Sequence, residues 1–332
     1  MDNPAEILSR AAVIVPSYKS GPAIKDVVEQ LLAHGFSNIV VVDDCCPEGS
    51  AGFLKGLDVH VCRTPENRGV GGAFLFGANY AVTVFGVEQI EYFCKIDSDG
   101  QHRVNDLERM LVFAHGSGVD LVKGNRYLLG KTPARQPFLR KLGNVGLSFL
   151  TKLSTGFWHI DDPVNGMLVF HSFSFYLMEN SEALKPRFLF ETSVLDAASQ
   201  IGACVSDFPN EITYGEEHSS LSISGEILPL TGHHLTACTR RIFSEYLYPK
   251  FDLAAFGLVG AALLPLGIMR GLFDLYSGKA DGSPTEPGEI AIVMMMIFIG
   301  LSSLVFFLQR DQALSLSKEP IRRFGLQKHG PQ

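Results

Sequence analysis

The sequence is short of charge, of cysteine and of basic excess. Only 19% of its 332 residues are charged while 46% are hydrophobic, a balance that excludes a disordered chain. Lys and Arg number 28 against 35 Asp and Glu, for a net charge of −7. Nucleic-acid binding runs on phosphate neutralisation by a basic surface, so no nucleic acid is expected as a partner. The 6 cysteines are too few for a disulfide scaffold, and no two form a CxxC pair, so no structural zinc site is expected. The adjacent Cys45 and Cys46 read as small buried residues at a strand exit, in a reducing compartment. Residues 1–10 have Asp2 and Glu6 and lack a basic stretch followed by an apolar run, so no targeting signal is expected there. Internal repeats and low-complexity tracts are also missing.

What is there alternates. Apolar strand patterns at residues 11–16, 38–42, 59–62, 92–96 and 121–123 are interleaved with helical spacing at 24–34, 72–85 and 104–115. Such alternation predicts an α/β fold of Rossmann-like type, a mostly parallel sheet covered on both faces, over residues 1–235. Ligands bind these sheets at the carboxyl ends of the strands.

Three predicted strands end in polar residues: Pro16-Ser17-Tyr18, Asp43-Asp44 and Asp97-Ser98-Asp99. All would gather at one sheet edge. Four acids there repel one another, so a cation or a hydrogen-bond donor should sit among them. In extended chain Asp97 and Asp99 point the same way, and hard oxygen ligands suit Mg²⁺ or Mn²⁺, with Gln101 as a further oxygen donor. The same Asp-Ser-Asp-Gly reads equally as a solvated turn. Residues 67–73 (NRGVGGA) form a glycine-rich loop opening a helix, whose N-terminus would favour a phosphate. The segment lacks the Lys-Ser/Thr of an ATPase loop and does not follow the first strand as a dinucleotide fold requires.

The C-terminal part carries two long apolar segments. Residues 290–308 contain no charge and reach about 28 Å as a helix, close to a bilayer core. Residues 251–269 contain one acid, Asp252, and one proline, Pro265. Two such segments predict transmembrane helices at 251–270 and 290–309 rather than helices of a soluble core. Arg240, Arg241 and Lys250 precede the first, and Arg310, Lys318, Arg322, Arg323 and Lys328 follow the second. The segment 271–289, expected as an external loop, holds four acids against one lysine. The positive-inside rule then places both termini and the 310–332 tail in the cytoplasm, with Arg270 against the trend. Residues 236–250 mix basic, aromatic and apolar residues, which suits an interfacial helix or a plain soluble one.

The polar segments, in their order and spacing, resemble glycosyltransferase family 2, the inverting GT-A enzymes. A GT-A domain followed by two transmembrane helices is similar to the polyprenyl-phosphate sugar synthases, relatives of dolichyl-phosphate mannose synthase and the bactoprenol glucosyltransferases. The resemblance implies that Pro16, Tyr18, Asp43, Asp44, Asn67 and Gly71 belong to the nucleotide site, with Tyr18 stacking on the base and Asp44 bonding its N–H. It implies that Asp97, Ser98, Asp99 and Gln101 serve the metal and the diphosphate. Arg126 would contact phosphate, Asp162 of the 162–166 segment would lie near the sugar, and Glu191 would sit where many relatives keep an acidic base. Arg135 and Arg140 are either further phosphate contacts or a solvated basic face.

The implied reaction moves a hexose from a UDP- or GDP-sugar to a polyprenyl phosphate such as undecaprenyl phosphate, at the inner face of a cytoplasmic membrane, in a homo-oligomer. An acceptor phosphate is already ionised near neutrality, so it needs no strong general base. A sugar or lipid hydroxyl acceptor, with Glu191 as base, is the alternative enzyme. A catalytically inactive membrane scaffold is the non-enzymatic one. A processive polysaccharide synthase is disfavoured, because Gly156-Phe157 precede the single Trp158 where Gln-x-x-Arg-Trp would be required. Two departures from the family stand out: Lys19-Ser20 in place of Asn-Glu, and acids at Glu216 and Glu217 where some mannose synthases carry a phosphate-binding Arg.

Overall fold

A computed structural model of the chain describes residues 3–128, 138–181, 183–212, 223–247, 250–281 and 286–315. The chain forms two compact units, one within Met1–Leu235 and one over Thr236–Ser317.

The first unit is built on one sheet of seven strands: β1 (Ala11–Ser17), β2 (Asn38–Asp43), β3 (His60–Arg63), β4 (Tyr92–Lys95), β5 (Leu121–Asn125), β6 (Leu168–His171) and β7 (Val205–Pro209), in the order β3-β2-β1-β4-β6-β5-β7. β6 runs antiparallel to both β4 and β5, and every other pairing is parallel. Its helices are α1 (Pro4–Ser9), α2 (Ala23–Ala33), α3 (Gly69–Phe85), α4 (Val104–Ser117), α5 (Phe138–Thr155), α6 (Ser172–Glu179) and α7 (Phe190–Gln200), and α8 (Ile223–Arg241) begins in the first unit and ends in the second.

Both faces of the sheet are covered, and the alternation of strand side chains divides the core in two. Ile14, Val40, Val42, Phe93 and Phe170 pack on one side with Phe74 of α3, Phe175 of α6 and Phe190 of α7. Val13, Val15, Ile39, Val41 and Val122 pack on the other with Val28 of α2 and Met110 of α4. The expected mostly parallel α/β sheet is present. The parallel strands β1, β2 and β4 all end at one edge, which brings residues 16–20, 43–44 and 97–99 together.

Helix α3 starts at Gly69, three residues before the expected position, because the Asp44 carboxylate takes up backbone N–H groups of its first turn. Strands β6 (LVFH) and β7 (VSDFP) lie beyond the last strand read from the sequence.

In the second unit, a short π-helical segment, Ile242–Leu247, precedes two long helices, α9 (Phe251–Asp281) and α10 (Pro287–Ser315). Phe251–Ser277 and Pro287–Ser315 are long and apolar enough to cross a membrane, with mean hydropathies of 1.9 and 2.7. Their side chains are largely exposed, with Met294, Met295 and Phe298 at 60–72%. A helix of a soluble core would bury them. α9 continues as far as Asp281, through much of the segment expected as a loop. Leu272, Phe273, Leu275 and Tyr276 carry the apolar pattern onward, and Arg270 pairs with Asp274 one turn later. The two helices meet through small residues. A Cβ on Gly260 would lie 2.8 Å from the Leu304 nitrogen, and one on Gly300 2.6 Å from that of Leu264. Close backbone approach of this kind is how apolar helices associate where burial from water gives no drive.

Candidate active site

Polar residues at the ends of β1, β2 and β4 line one open cleft of about 630 Å³. Its wall comprises residues 16–20, Asp44, Asn67, Gly69, Val70, Ala73, residues 97–99 and Arg187. Seven residues expected at the site therefore meet there: Pro16, Tyr18, Asp44, Asn67, Asp97, Ser98 and Asp99.

The first wall is the turn after β1. Tyr18 is 47% exposed, with the Lys19 ammonium 5.6 Å from its ring centroid. Lys19 adopts a positive φ of 56°, and its N–H donates to the Cys46 sulfur at 3.2 Å. Ser20 Oγ and Ser98 Oγ lie 2.5 Å apart, tying this turn to the one after β4.

Asp44 has a structural task. Its carboxylate accepts from Thr64 Oγ1 at 2.9 Å and from the backbone N–H groups of Arg68 and Gly69 at 2.8 Å each. The helix N-terminus that read as a phosphate cradle is thus already capped by a carboxylate of the chain. Asp43 faces elsewhere: it accepts from Cys46 N at 2.7 Å, lies 3.7 Å from Arg63 and does not line the cleft. Gly71 is also outside the wall. A Cβ there would sit 2.5 Å from the Phe190 ring, so this glycine lets α3 approach α7.

Ser98 and Asp99 form a turn after β4, so Asp97 and Asp99 do not share one extended segment. Asp99 Oδ1 accepts from the backbone N–H of Gln101 at 3.0 Å, which shapes the turn. Both acids still reach the cleft, so the turn and the ligand-facing pair are one structure. Gln101 does not line the wall.

The four acids are met separately: Arg63 faces Asp43, hydroxyl and backbone donors serve Asp44, and the cation beside Asp97 is Lys95, on β4. It is fully buried, and its Nζ donates to Asp97 Oδ1 at 2.6 Å and to the Gly166 carbonyl at 3.0 Å, with Glu191 Oε1 at 3.4 Å. His102 Nε2 stands 3.5 Å from Asp97 Oδ2. Burial opposes ionisation of Asp97, but the Lys95 ammonium and His102 outweigh it and hold the carboxyl well below the usual carboxylate range. Burial likewise opposes the charge on Lys95, and Asp97 and Glu191 more than restore it. A Cβ on Gly166 would fall 2.1 Å from Asp97 Oδ2, so this glycine makes room for the carboxylate.

Glu191, with 13% of its side chain exposed, is off the cleft wall and faces Lys95. Arg126 and Asp162 engage each other: Nε donates to Oδ2 at 2.7 Å and Nη2 to Oδ1 at 2.8 Å, while Asn165 donates to Oδ2 at 3.1 Å. Burial works against the Asp162 carboxylate, and the guanidinium overrides it, lowering its pKa. Neither residue lines the cleft. Arg135 lies outside the described residues, and so does the side chain of Arg140.

No group of three or more His, Cys, Asp and Glu among the described residues is placed to hold a metal ion by itself. Two carboxylates on the wall of a polar cleft nevertheless fit Mg²⁺ or Mn²⁺, since Mg²⁺ usually takes one or two carboxylates and fills its shell with substrate phosphates and water.

Residues 12–176 match the family model described as glycosyl transferase family 2. The chain carries a glycosyl transferase family 2 domain. An uncharacterised protein of Methanocaldococcus jannaschii is 31% identical over 158 residues, covering 48% of this chain and 63% of its own. The UDP-N-acetylglucosamine--dolichyl-phosphate N-acetylglucosaminyltransferase of Methanococcus voltae is 29% identical over 175 residues, 48% of this chain and 68% of its own. The chain thus spans about two thirds of these two relatives. Glucosyl-3-phosphoglycerate synthase from Mycobacterium tuberculosis, solved with Mg²⁺ and uridine-diphosphate, superposes with a TM-score of 0.55 at 16% identity, over 72% of this chain and 84% of its own. That likeness establishes the GT-A fold of the family 2 domain.

Lys95 and Arg187 went unrecognised in the sequence. Lys95 did leave a signal, a charged residue inside an otherwise apolar strand, which demands a buried partner. Arg187 left none, being 120 positions from Asn67, the residue it contacts.

Proposed function

We propose that this family 2 glycosyltransferase moves a hexose from a nucleoside diphosphate sugar to a polyprenyl phosphate at a membrane surface. The observation that carries the reading is the cleft at the carboxyl ends of β1, β2 and β4, where Tyr18, Asp97 and Asp99 meet Asn67 from the segment before α3. Tyr18 offers an exposed ring for the base to stack on. Asp44 keeps the first turn of α3 in place beneath it. Asp97 and Asp99 are the residues that would hold Mg²⁺ or Mn²⁺, which when bound offsets the negative charge of a departing diphosphate. Lys95, backed by Gly166, fixes the rotamer of Asp97.

An oxygen of the acceptor phosphate attacks the anomeric carbon, and the bond from that carbon to the diphosphate oxygen breaks with inversion. The bonding electrons leave with the nucleoside diphosphate, and no proton has to be removed. The position of Glu191 favours such an acceptor over a hydroxyl, because an oxygen of this candidate base is spent on Lys95 and the group is off the cleft wall. Helices α9 and α10 would anchor the domain in the bilayer with both termini cytoplasmic, in keeping with the lipid-linked acceptor in the name of the Methanococcus voltae relative. Anchoring raises the effective concentration of a lipid substrate.

The test is to incubate the detergent-solubilised full chain with undecaprenyl phosphate, a panel of UDP- and GDP-sugars and Mn²⁺, and to identify lipid products by mass. One nucleotide sugar should yield a glycosyl-phosphoryl lipid, and Asp97→Asn should lose at least about 100-fold in turnover. Wild-type activity toward hydroxyl acceptors alone, or full turnover by Asp97→Asn, would overturn the assignment.

A further inference from the structure

Arg187 lines the cleft yet belongs to none of the strand-end motifs. It opens the short 3-10 turn Arg187–Leu189 that leads into α7. Its φ of 63° lies in the left-handed region, which residues with a side chain rarely adopt. Among the described residues only Lys19, Cys45 and Arg187 share that feature without being glycine. Lys19 and Arg187 are on the cleft wall, and Cys45 follows Asp44, which is also on it. Strained backbone concentrated at one site is held there by its surroundings and points to function.

The surroundings of Arg187 are specific. A Cβ on Gly69 would lie 2.6 Å from Arg187 Cγ, so only glycine lets the arginine lie across α3 at that point. Arg187 Nη2 donates to the Asn67 carbonyl at 2.9 Å and Nη1 to Asn67 Oδ1 at 3.5 Å. Two of the five guanidinium N–H groups are used in this way, and the exposed remainder of the fork is available to a ligand. Three carboxylates line the cleft, those of Asp44, Asp97 and Asp99, against two cations, Lys19 and Arg187. A phosphate entering such a cleft needs positive charge on the wall. A planar, always charged fork is suited to two phosphate oxygens at once.

We propose that Arg187 is a phosphate-binding residue of this cleft, presented by Asn67 and Gly69. The inference rests on the reading of the cleft as the nucleotide-sugar site and adds a residue to it. The phosphate is either the diphosphate of the donor or that of the lipid acceptor. In the first case, electrons passing to the leaving oxygen increase its negative charge, and the guanidinium's attraction grows with it.

The test uses the full chain in detergent and compares wild type with Arg187→Met and Arg187→Gly. Calorimetry with uridine, UDP, guanosine and GDP in the presence of Mn²⁺ separates the base from the phosphates. Both variants should bind the preferred diphosphate roughly 10-fold or more weakly, with nucleoside affinity unchanged. Arg187→Gly should melt no lower than wild type, since glycine adopts the left-handed region freely. A rise of similar size in KM for the polyprenyl phosphate alone, with diphosphate affinity unchanged, would assign the arginine to the acceptor phosphate. If neither phosphate ligand weakens, or if the nucleoside weakens equally, the proposal is overturned. Wild type binding neither diphosphate would instead overturn the reading of the cleft, and this inference with it.

Discussion

Each unit of the chain contains a buried cation on an aspartate, and the two centres are built to different ends. In the first, Lys95 is fully buried but Asp97 keeps 30% of its side chain exposed to the cleft. In the second, Asp311 at the end of α10 is fully buried. Arg241 donates to it through both Nη atoms, Tyr246 adds its hydroxyl, and Arg241 Nε donates to Glu245 at 3.0 Å. The first centre leaves a carboxylate partly uncovered where a ligand can reach it. The second closes on itself and joins the segment before α9 to the end of α10. Burial of charge alone therefore marks neither a site nor a strut, and the accessible lone pairs separate the two.

Removing the cation should make the difference plain. Lys95→Met leaves Asp97 and Glu191 without their shared ammonium. Breaking a buried pair in this way costs about 3–5 kcal/mol, because a charge stays behind uncompensated. The expectation is near-complete loss of sugar transfer, with a lowered melting temperature. Replacing the whole cluster, Lys95→Met/Asp97→Leu/Glu191→Leu, should recover much of the stability but no activity, because no buried charge is then left without a partner. Recovery of both would show that Asp97 is only structural.

The second centre should lose stability without any loss of ligand binding. Arg241→Met alone should destabilise the detergent-solubilised chain by about 3 kcal/mol, and Arg241→Met/Asp311→Leu should recover most of it, since an apolar replacement of a whole buried pair is often neutral or better. UDP and GDP affinity should stay at the wild-type level throughout. A fall in nucleotide affinity with the double variant would mean that this cluster is part of the site after all.

The sheet and the first half of the site were legible because both follow from short-range pattern. Apolar runs gave β1, β2 and β4, and a polar residue directly after each run must lie at the sheet edge where parallel strands end. Tyr18, Asp44, Asp97 and Asp99 needed nothing more. Residues whose place depends on distant partners were harder to read. Arg126 and Asp162 looked like substrate contacts one by one, but 36 residues apart they form a bidentate pair, which no local pattern encodes. Gly71 looked like part of a phosphate loop and is a contact with Phe190. Arg187 enters the cleft from the turn before α7 and could be found only in three dimensions.

The smallest expected effect tests how far the charge network of the first centre extends along the sheet. Lys123 on β5 is fully buried, and its Nζ donates to the Asn165 carbonyl at 2.7 Å. Burial lowers its pKa to about 8. Asp207 on β7 accepts from Asp161 N at 3.0 Å and from Asn125 Nδ2, while its Oδ1 has no hydrogen-bond partner. Burial is the main cause that raises its pKa to about 7. A carboxyl whose folded pKa lies above its unfolded one binds more protons in the folded state between about pH 4 and pH 7. Its contribution to stability is therefore greatest below that window and is lost as pH rises through it, by up to a few kcal/mol. Asp207→Asn should flatten this part of the melting-temperature profile and raise stability at pH 8 relative to wild type. It should leave diphosphate affinity alone, because Asp207 is not on the cleft wall. An unchanged slope would mean that Asp207 is ionised at neutrality and matched by Lys123, so that the buried charges of β4, β5 and β7 act as one network and not as a ligand-facing pair with a separate neighbour.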